Sequence, residues 1–157
     1  MGADVLEEKI LNDYKEAMKA RDALKSSILS FLRAEIMNTA IAKKKNKLDD
    51  AEITSVVRKQ IRQHQDSIEQ FRKGMRQELA DKEEKELEVL KTYLPPELPQ
   101  EEIAKLIDEA ASAISAQGIK DMGRLIKEVN IKIAGKADPK LVSDMVRVKL
   151  SGPAAQA

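Results

Sequence analysis

Apolar residues recur along the chain every three or four positions and almost nowhere at every second position. That period belongs to helices with one buried face, and the lack of alternation predicts no sheet. The first stripe is Leu6, Ile10, Leu11, Tyr14, Ala17 and Met18. It predicts a helix over about 4–20, with Asp4 as N-cap and Glu7 as its capping-box partner. Asp22 caps a second helix reaching Ala42, whose stripe of Leu24, Ile28, Leu32 and Ile36 is widened by Leu29, Phe31 and Ala40. The cationic run KKKNK at 43–47 closes it. Cations suit a helix C-terminus, and Asn46 tolerates a left-handed turn. So short a link is typical of antiparallel helix neighbours.

Asp49 or Asp50 opens a long third helix with a near-heptad seam of Ile53, Val57, Ile61, His64, Ile68, Phe71, Met75 and Leu79. Gly74 interrupts it; glycine inside a helix costs about 1 kcal/mol against alanine, so a kink or break is expected there. Helix resumes from Glu78 to Lys91. The segment YLPPELPQEEI, from Tyr93, is the clearest boundary, because each proline lacks an N–H and restrains the residue before it. The chain is therefore expected to divide into an N-terminal helical domain, 1–95, and a C-terminal one, 96–157.

The second part reads as three short helices. The first covers about Pro99 to Ala116, with Ile103, Leu106, Ile107, Ala110, Ala111 and Ile114 inward. The second covers about Asp121 to Ala134, with Met122, Leu125, Ile126, Val129 and Ile133 inward. The third starts at Asp138-Pro139, Asp as cap and Pro as first helical residue, with Leu141, Val142, Met145 and Val148 inward. Gly118 and Gly135 stand at the stops, and the small-residue tail SGPAAQA is expected to fray. The fold class is all-α: an N-terminal helical domain with a long third helix, then a small three-helix C-terminal domain.

Composition narrows the chemistry. There is no cysteine, which excludes disulfides and thiolate metal sites and fits a cytoplasmic protein. No apolar run approaches the roughly 20 residues of a membrane span. The start, MGADVLEEKI, is acidic and lacks a leader's apolar core; Leu6 stands where a myristoylation signal wants Ser or Thr. Net charge is +1 but uneven: 43–78 and 118–157 are each +4, whereas 79–117 is −6. The total cannot drive tight polyanion binding, but the two basic regions can act locally.

Gly118 and Gly123, in GIKDMGRLIKE, match the spacing of a phosphate loop. Such a loop needs Lys and then Ser or Thr where this chain has Arg124 and Leu125, and it needs a preceding strand. Gly118 is better read as a helix stop, and Gly123 as a site of close backbone approach. His64, the single histidine, falls on an apolar seam without a catalytic partner and reads as a packed residue. Glu83, Glu84, Glu86 and Glu88 lack the Glu-x-x-His spacing of di-iron bundles and read as a solvated face. No metal and no catalytic residue is expected.

Lys120, Arg124 and Lys127 share one face of the second C-terminal helix. Lys132, Lys136, Lys140, Arg147 and Lys149 lie near them in sequence. These eight are the candidate nucleic-acid-binding residues, suited to phosphates. With no aromatic residue after Tyr93, stacked single strands fit less well than a folded, shape-read nucleic acid. A helix-turn-helix reader is disfavoured, since 121–134 offers only Asn130 and Arg124 for base edges. The competing reading is a protein-interaction module that docks a partner or dimerises through the long third helix.

One ordered set of motifs resembles a known family. It comprises Arg76-x-x-Leu79-Ala80-x-x-Glu83-x-x-Glu86-Leu87-x-x-Leu90-x-x-Tyr93-Leu94-Pro95, then Asp121-Met122-Gly123-Arg124, Gly135-Lys136-Ala137-Asp138, and Leu141-Val142-Ser143 with Val146. Asp13 to Asp22, Leu32-Arg33 and the Lys59 to Asp66 region fit as well. Together they resemble the YqeY-like proteins of the GatB/YqeY family, over about 4–150. Pro99 and Arg124 depart from the usual pattern, which has a Ser-type cap and often Lys. The resemblance implies a C-terminal domain similar to the tail of GatB, the tRNA-dependent amidotransferase subunit, and so implies tRNA contact by the cations at 120–149. It also implies a glutamine-dependent carbon–nitrogen ligase label. No amidase triad or ATP motif in this chain supports independent catalysis, so the label reads as inherited. Expected partners are tRNA and an amidotransferase or another protein, with no membrane and no small-molecule cofactor.

Overall fold

The computed structural model describes residues 5–151, and those residues form seven α-helices with no strand. The helices are α1 (Val5–Lys19), α2 (Ala23–Ala42), α3 (Asp50–Lys73), α4 (Gln77–Lys91), α5 (Gln100–Ala113), α6 (Met122–Ile133) and α7 (Pro139–Ser151). A single 3-10 turn, Ile119–Asp121, leads into α6. The all-α expectation holds. The chain divides between Leu94 and Pro95 into two compact units. Asp4 and the tail from Gly152 lie outside the described residues.

In the N-terminal unit, α3 and α4 form an antiparallel hairpin that packs with α1 and α2. Its core is Ile10, Ile28, Leu29, Leu32, Ile36, Leu48, Ile53, Val57, Ile61, Ile68, Leu87 and Leu90, closed by Tyr93. Two caps follow the sequence. Asp22 accepts the Lys25 amide at 3.0 Å. Asp49 accepts the Glu52 amide at 2.8 Å while Glu52 accepts the Asp49 amide at 3.1 Å, a full capping box. Remote ties fix α1: Leu6 N–H donates to Asp50 Oδ1 at 3.1 Å, and Tyr93 O–H donates to Asp13 Oδ2 at 2.7 Å. Burial and then the Asp13 carboxylate push the Tyr93 phenol above its ordinary value, so it remains a neutral donor.

The C-terminal unit packs α5, α6 and α7 around Ile103, Ile107, Ala110, Leu125, Val129, Ile133, Val142, Val146 and Leu150. Asp138 accepts the Lys140 amide at 2.9 Å in the first turn of α7. The Leu98 amide donates to the Lys136 carbonyl at 2.9 Å, tying the entry of α5 to the α6–α7 link.

Several local expectations are corrected. Gly74 closes α3 at φ −84°, and the chain reverses at Met75, which takes φ 57° and is 90% exposed instead of continuing the seam. Lys44, not Asn46, takes the left-handed turn after α2. Arg21, Ser115 and Ala134 do the same after α1, α5 and α6. Four of these ends carry the six-to-one hydrogen bond of a Schellman motif: Asp22 to Ala17, Lys45 to Ala40, Arg76 to Phe71 and Ala116 to Ala111. Gly118 is extended at φ −172°, and a Cβ on Gly123 would meet nothing within 4 Å, so no close backbone approach explains that glycine. Met18, Phe31 and Val148, assigned inward by period, are exposed because no neighbouring helix covers their side of the wheel.

Candidate nucleic-acid interface

All eight candidate cations are solvent-exposed, and they fall into three groups. Lys120, Arg124 and Lys127 follow one face through the 3-10 turn and α6, with Ile131, 67% exposed, continuing the same face. Lys136 and Lys140 stand at the other end of α6, on the link and the first turn of α7. The remaining three are engaged elsewhere. Lys132 reaches Glu109 at 4.0 Å and Lys149 reaches Asp108 at 2.9 Å, both on α5, while Arg147 pairs with Asp144 on its own helix at 3.5 Å.

Arg124 is also committed. Its guanidinium donates to Asp121 Oδ1 at 3.0 Å and to the Ile114 carbonyl at 3.3 Å. Asp121 Oδ2 accepts the Gln117 amide at 2.8 Å. That amide, and then the Arg124 guanidinium, hold the Asp121 carboxyl below its ordinary value. Arg124 thus clamps the α5–α6 connection from the edge of the basic face. Lys120, Lys127, Lys136 and Lys140 have no ion-pair partner among the described residues.

Residues 95–157 hold nine basic and nine acidic side chains, so this unit is neutral as a whole. Acids gather on α5 and bases on α6 and α7. With the whole unit neutral, any attraction for a polyanion is local, short-ranged and screened beyond about 8 Å at physiological salt.

The α3 seam does not present itself to a partner. Ile53, Val57, Ile61 and Ile68 are buried inside their own unit. His64, on that seam, is met by α4: its Nδ1 contacts Glu83 Oε2 and lies 3.6 Å from Glu86 Oε2. The two glutamates are therefore not a solvated face; the three side chains are only 14%, 22% and 13% exposed. Glu84 instead pairs with Arg72, and Glu88 with Lys91 at 3.5 Å, both at the surface. Burial, and then the charge of Glu83, raise the Glu86 carboxyl above its ordinary value, against the pull of His64 and Lys82. The signal for this cluster is the turn itself. His64 lies eleven residues before Met75 and Glu86 eleven after it, so a reversal at Met75 sets them opposite each other.

The profile of the Yqey-like proteins matches residues 7–150, nearly the whole described chain. The chain belongs to the Yqey-like protein family. Among curated relatives of this Yqey-like protein are those named "Altered inheritance of mitochondria protein 41, mitochondrial". The one from Pyrenophora tritici-repentis is 30% identical over 86% of this chain and 75% of its own length. The one from Vanderwaltozyma polyspora is 39% identical over 57% of this chain, and the match spans half of that relative. The one from Lachancea thermotolerans is 31% identical over 81% and 67%. These relatives correct the cytoplasmic expectation, because their names place them in mitochondria. Lack of cysteine removes thiol chemistry in any compartment and does not select the cytosol. No helix among the described residues is long and apolar enough to cross a membrane.

Proposed function

We propose that this Yqey-like protein is a non-catalytic module that holds a folded RNA, in the manner of a tRNA-binding or amidotransferase-associated domain, through lysines carried on α6 and at its two ends. The observation that carries this reading is the set of uncommitted lysines, Lys120, Lys127, Lys136 and Lys140, in a unit whose other candidate cations have acidic neighbours. A twelve-residue helix is about 18 Å long, enough to follow several phosphates along a backbone. The unit offers no aromatic side chain for stacking, so contacts go to phosphate and shape, with little base preference.

The test is binding of a folded tRNA to the full chain across a salt series. Four phosphate contacts give a slope of log K against log salt of about −3 to −4. Changing Lys120, Lys127, Lys136 and Lys140 together to Ala is expected to abolish that slope, while K132A with K149A leaves most of it. Salt-independent binding, or binding indifferent to the fourfold change, removes the proposal. Protein docking is the second reading, and what favours it sits on α2 instead of α3: Phe31, Met37 and Ile41 share one side of that helix and are each more than 60% exposed. Retention of a protein partner by the fourfold variant, with no RNA bound to the wild type, would establish it.

A further inference from the structure

We propose that His64, Glu83 and Glu86 form a three-ligand site for a divalent transition cation of the zinc type, inside the α3–α4 hairpin. The geometry comes first. One ring nitrogen of His64 and one carboxylate oxygen each from Glu83 and Glu86 all lie within 4.8 Å of one another. Ligands bonded to one tetrahedral zinc at roughly 2.0–2.2 Å stand about 3.4 Å apart. The 3.6 Å between His64 Nδ1 and Glu86 Oε2 already has that spacing.

The hairpin supplies the three groups from opposite sides. Glu83 and Glu86 are one turn apart on α4, and His64 faces them from α3. Helical ion pairs do not use up this arrangement. Two carboxylates converge on one imidazole in a half-buried place. A divalent ion neutralises both carboxylates at once.

A second observation lies one turn away. Gln60 is 1% exposed, and neither its amide oxygen nor its amide nitrogen has a hydrogen-bond partner. It precedes His64 by four residues, so the two side chains are neighbours on one helical face. Helical side chains lean toward the N-terminus, which directs the His64 ring over the turn that carries Gln60. An unpaired amide at such a depth costs free energy unless something meets it. A water on the cation's open position is suited to that role, as outer hydrogen-bond partners are in metal sites generally.

The ligand chemistry selects the ion. One imidazole with two carboxylates and no thiolate suits Zn²⁺, Mn²⁺ or Fe²⁺; Ca²⁺ and Mg²⁺ favour all-oxygen shells. Three protein ligands leave at least one position to water. The site is in the N-terminal unit and stands or falls separately from RNA binding by α6.

Untagged full-length protein, stripped with a chelator, is titrated with ZnCl₂ by calorimetry and by long-range ¹H–¹⁵N NMR. The chain has one histidine, so every imidazole resonance reports His64. Stoichiometric binding is expected, with one ring nitrogen shifted and a single tautomer fixed. E83Q and E86Q are each expected to weaken Zn²⁺ at least tenfold, and MgCl₂ to bind at least a hundredfold more weakly than ZnCl₂. His64 resonances unmoved at saturating Zn²⁺ overturn the proposal, as does affinity unchanged in both glutamine variants. The wild-type NMR decides by itself if a variant fails to fold, and an unmoved imidazole then assigns the cluster to a shared proton.

Discussion

The two units use charge in opposite ways. In the N-terminal unit polar groups enter the helix interfaces: His64 with Glu83 and Glu86, buried Gln60 and Thr54, and the Tyr93–Asp13 hydrogen bond. Glu52 gathers Lys43 and Lys45, each at 2.9 Å. Among the described residues of the C-terminal unit no polar side chain is buried, and the buried core residues are all aliphatic. Its cations stand at the surface, and half of the eight candidates lack an acidic partner among the described residues. A polar group inside a helix interface serves geometry or an ion, because burial is costly unless it is satisfied. A cation left at the rim is free to meet an external anion. The two proposed sites divide along this contrast, ligand chemistry in one unit and polyanion contact in the other.

The largest effect that breaks this contrast comes from the aliphatic core. Leu125 is fully buried at the centre of the C-terminal unit. Leu125→Ala is expected to cost about 2–5 kcal/mol, most of the stability that so small a unit can hold. Circular dichroism during urea titration should then show the helical signal of α5–α7 lost first. RNA binding should disappear with it, while the His64 resonances stay in place. Simultaneous loss of both would show that the two chemistries are not separable by unit.

Helices were legible from the sequence because burial imposes a period on each of them, and that period survives without knowledge of neighbours. Which residues complete the contact was not. Phe31 and Val148 carry the right period but face a side that no helix covers. The Lys120–Arg124–Lys127 face was readable from spacing, since the 3-10 turn and α6 carry it as one continuous stretch. The pairing of Lys132 and Lys149 with α5 was not, because it depends on how three helices surround one core. His64 looked apolar by position, and the acids of α4 looked solvated by composition. Only the reversal at Met75 brings them together, and a methionine there gives no turn signal.

Those left-handed closures supply a test of intermediate size. A non-glycine residue at positive φ is strained by roughly 1–2 kcal/mol, part of which glycine recovers. Met75, at φ 57°, and Ala134, at φ 49°, end helices in different units. Met75→Gly and Ala134→Gly are each expected to stabilise by about 1 kcal/mol, read as a higher urea midpoint. Equal gains would show that both units close helices by the same device although they handle charge differently. A gain confined to Ala134→Gly would mean that Met75, despite its exposure, contributes contacts that glycine loses.

The smallest expected effect concerns acid. The Lys45 ammonium first, then that of Lys43 and the Asp49 amide, lower the Glu52 carboxyl to about 2 from 4.5. A carboxyl lowered by folding stabilises above its unfolded value, and that contribution fades as pH falls from about 4.5 toward 2. Asp121 is lowered too, but chiefly by the Gln117 amide. The two causes respond differently to salt. Ammonium partners are screened, whereas a backbone hydrogen bond is not. Glu52→Gln keeps the capping box, since Gln serves at that position, but removes the charge. It should flatten the acid limb of the stability curve at low salt and change it little at high salt. Asp121→Asn should flatten it less, and with a smaller difference between low and high salt, since the Arg124 guanidinium is only its secondary partner. Should Glu52→Gln leave the low-salt acid limb untouched, the lysine pair is a surface contact without energetic weight. Charge in the N-terminal unit would then matter only where it is half-buried, at His64, Glu83 and Glu86.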